Sequence, residues 1–232
     1  MKRATPFVLL LALTLVALAM PNRAYAVSGS VVISQVYGAG GNSGATWRYD
    51  YVELYNRSSS PVSLAGWSLQ YASATGFSWG SANVALSGTV AAHGYYLVQL
   101  GSGGTAGALL PTADETGSPA VNMSATTGKI ALCSSTTALT GNCPVGSLIV
   151  DFVGYGATAD CREGSANAPA PSATNSINRI CGFTDHNKDT DQNSTDFMAI
   201  AASPRNSSSP DITCSPTPTL NSTWGSLKVI YR

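Results

Sequence analysis

Short apolar runs separated by Gly, Ser, Asn and Pro recur along the chain. In residues 50–55 (DYVELY) the side chains of successive positions fall on opposite faces, with Val52 and Leu54 toward a core and Glu53 outward. This period of two, with β-branched and aromatic residues enriched, predicts strands. The clear runs are 30–37, 50–55, 67–72, 95–100, 129–133 and 148–153. Weaker runs are 83–86 and 120–122.

Two of these runs, 129–133 (KIALC) and 148–153 (LIVDFV), are almost continuously apolar, which is typical of strands in the middle of a sheet. Seven or eight short strands with turn signals between them, and no helix of substance, predict an all-β antiparallel β-sandwich. The glycine-rich residues 38–44 lack the Lys-Ser/Thr pair of a phosphate loop and are predicted to be an inter-strand loop.

The N-terminus has the layout of a secretory signal peptide. Lys2 and Arg3 precede the apolar residues 7–20, and residues 24–26 (AYA) form a small-x-small cleavage site. The apolar run is shorter than the ~20 residues of a spanning helix, although an uncleaved N-terminal anchor is the alternative. Residues 1–26 are therefore expected to be removed from an exported, extracellular or cell-surface protein.

Composition narrows the class of partner. Charged residues make up only 10 % of the chain, which excludes a coiled coil, and 44 % hydrophobic residues exclude a disordered one. Removal of the signal peptide takes three basic residues and leaves an acidic surplus of three charges. With no cluster of Lys or Arg to neutralise phosphates, nucleic-acid binding is disfavoured.

The mature chain divides by composition into three parts. Residues 27–202 contain the predicted strands, and residues 203–223 are rich in Ser, Pro and Thr and are typical of a linker. Residues 224–232 (WGSLKVIYR) are apolar and basic. They are expected to form a last strand or a docking and sorting signal.

Several blocks of the chain resemble one family. They include residues 34–37 (SQVY), 50–56 (DYVELYN), 61–69 (PVSLAGWSL), 94–98 (GYYLV) and 151–156 (DFVGYG). In this order they are similar to the lamin tail domain of bacterial secreted proteins, over about residues 31–156 with a looser continuation to about 210.

The resemblance implies an immunoglobulin-like sandwich and a non-catalytic binding or adhesion module, because such domains accompany secreted hydrolases as accessory parts. The partner would then be another protein chain or a surface polymer. A secreted nuclease, phosphatase or glycosidase with an unrecognised site is the alternative from the enzyme class. A structural component of the cell surface, held by residues 224–232, is the third.

The five cysteines are expected to pair, because export places them in an oxidising compartment. Nearest-neighbour disulfides, Cys133–Cys143 and Cys161–Cys181, are the preferred connectivity, although sequence alone leaves others open. Cys214 would then be a free thiol or an intermolecular link. A thiolate metal site is the competing interpretation, but no CxxC spacing supports it.

One acidic segment suggests a metal. Asp185, Asn187, Asp189 and Asp191 place oxygen ligands on alternating residues, as a Ca²⁺ loop does. The glycine and the terminal glutamate of the calcium-loop pattern are missing, so a solvated, Asx-turn-rich loop is the alternative. Ca²⁺ is the only cofactor that the sequence indicates.

Candidate ligand-contacting and catalytic residues are few. Trp47 and Trp79 lie in predicted loops, where an indole could contact a ligand at the surface. Glu53 and Asp151 are acids on predicted strands, the residue type that glycosidases use in pairs, but nothing in the sequence brings them together. Residues 76–80 (GFSWG) have the G-x-S-x-G spacing, but no helix is predicted after Ser78 to form a nucleophile elbow, and no H-E-x-x-H motif occurs, so no catalytic residue is predicted.

Overall fold

The computed structural model describes residues 29–117, 121–180 and 187–211. The elements begin with β1 (Val31–Tyr37), β2 (Tyr51–Asn56), β3 (Val62–Ser63), β4 (Ser68–Ala72), a 3₁₀ turn (Gly80–Ala82), β5 (Asn83–Ala85) and β6 (Thr89–Val90). They continue with β7 (Tyr95–Gln99), β8 (Glu115–Thr116), β9 (Gly128–Cys133), β10 (Ile149–Tyr155), β11 (Asn175–Arg179), the single-turn helix α1 (Asn193–Asp196) and β12 (Phe197–Ala201). No helix in these ranges is long and apolar enough to cross a membrane.

The strands form two main sheets that pack face to face. The larger has the order β12-β11-β1-β2-β7-β8, with antiparallel pairs except for the parallel contact of β7 with β8. The smaller has the order β10-β9-β4-β5, and β3 pairs with β6 in a separate ribbon. Alternate residues such as Ile33 and Leu54 from the larger sheet meet Ile130 and Val153 from the smaller one in the main core. The predicted β-sandwich is confirmed.

All six clear strand predictions are confirmed, and the weaker run 83–86 forms β5. Residues 121 and 122 lie outside any strand, and residue 120 lies outside the described ranges. The sequence did not predict β11 or β12, which complete one edge of the larger sheet. The predicted signal peptide, Cys181, Asp185, Cys214 and residues 224–232 also lie outside the described ranges.

The outer face of the larger sheet is covered by residues 203–211, which the sequence placed in a linker. The Arg205 guanidinium donates to both carboxylate oxygens of Glu53, with an Nη2–Oε1 distance of 2.7 Å, and stacks 4.0 Å from the centroid of the Tyr95 ring. Glu53 therefore points away from the core as predicted, but it is fully buried under this segment. Further along, Ser207 contacts Asp114, and the Tyr55 hydroxyl donates to Asp211.

Candidate functional site

The connection between β9 and β10, residues 134–148, is held by side chains of the smaller sheet. We call it the stapled loop. Gln70, fully buried on β4, donates through Nε2 to the Thr137 carbonyl and accepts the Leu139 amide through Oε1. Further donations to loop carbonyls come from Ser68 to Ser135, Asn83 to Thr136, Trp79 to Gly141 and Lys129 to Asn142. A loop whose carbonyls are bound this often is preorganised, because its backbone has few alternative partners.

Lys129 sets the position of the disulfide. Its fully buried ammonium donates to the Asn142 carbonyl at 2.6 Å and to Asp160 Oδ1 at 2.7 Å. Residues 142 and 160 are thereby brought together, and the next residue of each, Cys143 and Cys161, forms a disulfide with a Cα–Cα distance of 5.1 Å.

The nearest-neighbour disulfide pairing is therefore wrong. Cys133 is the last residue of β9, and its thiol is free and buried against the small core around Trp79 and Phe152. Burial raises the pKa of the Cys133 thiol to about 12. Cys143 is instead carried across to Cys161, because the stapled loop reaches over Trp79.

A groove of about 440 Å³ runs along the stapled loop. Its lining includes Thr137, Leu139 and Pro144, and two exposed apolar side chains stand at its side, Val145 (60 % exposed) and Leu148 (53 %). Phe77, 73 % exposed, precedes Ser78, which forms an isolated β-bridge with Thr140 of the groove lining. A rigid loop with a groove and an exposed apolar rim is suited to contact a partner surface.

The two tryptophans differ from their predicted roles. Trp79 is only 1 % exposed and packs 5.9 Å from Phe152, so the prediction that it contacts a ligand at the surface is wrong. Its indole N–H instead fixes the stapled loop at Gly141. Trp47 is half-buried and donates through Nε1 to the Ala202 carbonyl at 3.0 Å, and its contact with a ligand stays a prediction.

A buried acidic cluster lies between the sheets near the start of β12. Arg179 on β11 donates to both carboxylate oxygens of Asp151 on β10, at 3.0 and 2.8 Å. The same guanidinium reaches Asp189 at 3.0 Å and Asp196 at 3.4 Å. Glu163 completes the cluster, because oxygens of Asp151, Glu163 and Asp189 lie within 4.8 Å of one another.

Burial dominates the protonation of this cluster. Desolvation, with the neighbouring carboxylates of Asp151 and Asp189, raises the pKa of Glu163 to about 10. Desolvation also raises the pKa of Asp151 to about 6, although Arg179 opposes the shift. Asn193 supports the arrangement by donating to Glu163 Oε2 and accepting the Gly154 amide. Burial therefore favours the protonated form of Glu163, while Arg179 pairs with the carboxylates of Asp151, Asp189 and Asp196.

The calcium segment contributes one residue to this cluster. Asp189 joins Asp151 and Glu163, whereas Asp185 lies outside the described residues. Asn187 is buried at a left-handed φ of 53°, and Asp191, also at φ 53°, has a buried Oδ1 without a hydrogen-bond partner among the described groups. The predicted Ca²⁺ ligand set stays a prediction, and Arg179 is the cation that the structure shows there.

The two strand acids that suggested glycosidase chemistry belong to different sheets. Glu53 lies on the outer face of the larger sheet with Arg205, and Asp151 lies in the smaller sheet with Arg179. Each carboxylate is paired with its own arginine, so the two do not form a catalytic pair.

His93 is exposed in the turn before β7, at a left-handed φ of 52°.

The residues that organise these sites were hard to identify from the sequence. Gln70 and Lys129 are polar residues in the largely apolar strands β4 and β9, whereas Arg179 is the last residue of β11, which is polar except for Ile177. A polar side chain in such a position is the available signal, because a buried polar group needs a partner. The identity of that partner has no local signature.

Comparison with known proteins decides the family. A model of the lamin tail domain matches residues 25–157, more than half of the chain. The chain belongs to the lamin tail domain family. Its fold is accordingly an immunoglobulin-like β-sandwich. No curated protein sequence matches the chain.

The lamin tail domain match ends just after β10, so it includes the stapled loop and Asp151 but not Arg179. Glu163, Asp189 and Asp196 also come from the region beyond the match. Polar residues inside the matched region, such as Asp50, Glu53 and Asn56, are buried and hydrogen-bonded within the sandwich. They maintain the lamin tail domain fold.

Proposed function

We propose that this protein is an exported, non-catalytic lamin tail domain module that binds another protein chain or a surface polymer through the stapled loop. The observation that carries the proposal is the combination of Val145 and Leu148, exposed beside a groove, with a loop backbone that is already fixed. A fixed loop loses little conformational entropy on binding, so apolar contacts at its rim contribute directly to affinity. The sequence supports export through the signal-peptide pattern of residues 1–26.

The test compares two variants for retention on isolated cell envelopes and on purified envelope polymers. Val145→Asp with Leu148→Asp places charges on the rim, and Leu109→Asp places one on a leucine that is 62 % exposed outside this groove. We expect the double variant to lose at least about tenfold in affinity, because two apolar contacts are each worth about 1 kcal/mol or more when buried. The Leu109 variant should bind as the unmodified protein does. Equal binding by all three proteins contradicts the proposal.

The enzyme alternative is tested on the same preparation. Purified mature protein is assayed on nuclease, phosphatase and glycosidase substrates, with and without Ca²⁺. Turnover that persists after further purification contradicts a non-catalytic role. Duplex DNA serves as a negative ligand, because an acidic mature chain should not exceed non-specific affinity, ~10⁻⁴–10⁻⁶ M in dissociation constant.

A further inference from the structure

β12 is an edge strand with an open side. It pairs with β11 through the register of Ser176 with Ile200 and Asn178 with Met198. Hydrogen bonds just beyond each end, Ala202 N to the Thr174 carbonyl and Ile180 N to the Asp196 carbonyl, fix the alternation of the ladder. Met198 and Ile200 therefore bond to β11, while the backbone groups of residues 197, 199 and 201 point away from the sheet. None of the described strands pairs with this side.

The side chains of this edge are also apolar. Met198 and Ile200 are 45 % and 43 % exposed on the outer face, beside a groove of about 280 Å³ that Tyr95 and Arg205 also line. Ala199 and Ala201 carry no charge that would repel another strand. Open edges in natural sheets are usually protected by charge, proline or a bulge, or are covered. The described edge is apolar and lacks charge and proline, so we expect it to be covered by another segment.

A segment of this chain outside the described residues fits the edge. In residues 227–231 (LKVIY), Leu227, Val229 and Tyr231 alternate with Lys228 and Ile230, so an extended segment would present three apolar side chains to one face. That face complements Met198 and Ile200.

The connecting chain is long enough. Asp211 is held at Tyr55 on β2, and three inter-strand spacings separate β2 from β12. With one more spacing for an added strand, the distance is about 20 Å. Residues 212–223, about a dozen, reach roughly 40 Å when fully extended and average about 20 Å when flexible.

Charge complementarity also favours the C-terminal segment as the chain that covers this edge. The buried acidic cluster ends at Asp196, immediately before β12, and Asp189 and Asp191 lie beside it. This end of the strand carries more acidic than basic groups, and the segment supplies Lys228 and Arg232.

We propose that residues 224–232 add as a strand to the free edge of β12 in the same molecule. The segment then pairs with the outward backbone groups of residues 197, 199 and 201 and covers Met198 and Ile200. This proposal concerns the edge of the larger sheet, whereas the stapled loop belongs to the smaller sheet, so it can fail without affecting the proposed function.

The experiment is amide hydrogen exchange by NMR on the full chain and on a chain ending at Thr223. In the full chain, the amides of residues 197, 199 and 201 should exchange about tenfold more slowly, or more, than in the shortened chain. The amides of Met198 and Ile200 bond to β11 and are internal controls that stay protected in both. A synthetic peptide of residues 224–232 should restore protection to the shortened chain.

A proline variant gives an independent check. Ala199→Pro removes an outward N–H and leaves the β11 ladder, because proline is tolerated where an edge N–H faces away from the sheet. In the full-length variant the amides of residues 197 and 201 should exchange faster, with Met198 still protected. Equally fast exchange at residues 199 and 201 in full and shortened chains overturns the proposal. Protection that depends on protein concentration also overturns it, because a second copy would then cover the edge.

Discussion

The Asp50 carboxylate joins two loops of the sandwich by hydrogen bonds. Its Oδ1 accepts the Gly40 amide at 2.8 Å and its Oδ2 accepts the Met123 amide at 2.6 Å. Gly40 has no room for a side chain, because a Cβ there would collide with the backbone of Tyr49. The glycine-rich connection after β1 is consequently packed at this point, and one buried carboxylate holds it.

Burial of Asp50 makes stability depend on pH. Desolvation raises the pKa of Asp50 to about 7, although two backbone amides oppose the shift. Since the folded pKa lies above the unfolded one, the contribution of Asp50 is full below about pH 4 and is lost as pH rises toward 7. The free energy of unfolding, measured by urea titration, should fall over this range.

Asp50→Asn isolates that contribution. At pH 4 the variant should be less stable by about 1–3 kcal/mol, because one backbone amide loses its acceptor. The difference between the two proteins should shrink between pH 4 and pH 7, since asparagine does not titrate. A constant difference contradicts the raised pKa.

Trp79 and Phe77 offer a matched pair of aromatic residues in one loop. Trp79 is buried against Phe152, so Trp79→Ala should lower the free energy of unfolding by about 3–5 kcal/mol. Phe77 is 73 % exposed, and Phe77→Ala should change it by less than about 0.5 kcal/mol. Denaturant titration of both variants checks this. Equal losses of unfolding free energy in the two variants would show that the buried Trp79 contributes no more to stability than the exposed Phe77 does.

The Glu53–Arg205 pair determines how firmly residues 203–211 hold the larger sheet. Arg205→Met should cost about 3–5 kcal/mol, because it leaves the buried Glu53 carboxylate without its partner. Glu53→Gln in the same background should recover part of that loss by removing the buried charge. Urea unfolding of the single and double variants gives the coupling free energy, and simple additivity contradicts a direct interaction.

Among the elements, predictability follows the apolar pattern. β1, β2, β9 and β10 bury their residues on both faces or alternate clearly, and the sequence located them. β11 (NSINR) has one core residue, Ile177, and its polar residues find partners such as Gln35 far away in the chain. A strand satisfied by such distant partners has no local period, so the sequence could not reveal it.

The cysteine connectivity was unpredictable for a related reason. It depends on Lys129, which brings together residues 142 and 160, and no rule of spacing includes that contact. Sequence reasoning identified Cys143 and Cys161 as disulfide cysteines but not as each other's partners.

Alkylation of the unreduced protein tests which cysteines are free and which form the disulfide. Cys133 should resist labelling in the native state and react fully after denaturation without reductant, because burial protects its thiol. Cys143 and Cys161 should need reductant, and Cys143→Ser should destabilise by about 3 kcal/mol for a separation of 18 residues. A peptide cross-linked through Cys133 in the mass spectrum contradicts the assignment.

For the molecule as a whole, the predicted calcium effect is measurable by melting. If Ca²⁺ binds the folded state through Asp189 and its neighbours, it adds ~2.7 kcal/mol at 100 times its dissociation constant. The melting temperature should rise in millimolar Ca²⁺, fall again with chelator, and respond little in Asp189→Ala. Mg²⁺ is the control, because its small octahedral shell fits an irregular carboxylate site poorly. Identical melting in Ca²⁺, Mg²⁺ and chelator ends the calcium hypothesis.

The central strand β1 has a consequence for how the molecule is made. Its first neighbour, β2, follows closely, whereas its second, β11, is more than a hundred residues away, as the pairing of Gln35 with Asn178 shows. During synthesis β1 has only one of its two neighbours until almost the entire domain has emerged. Such high contact order is typical of proteins that fold in milliseconds to seconds. Until β11 pairs, the half-paired sheet exposes the backbone edge of β1, to which other unfolded chains can bind.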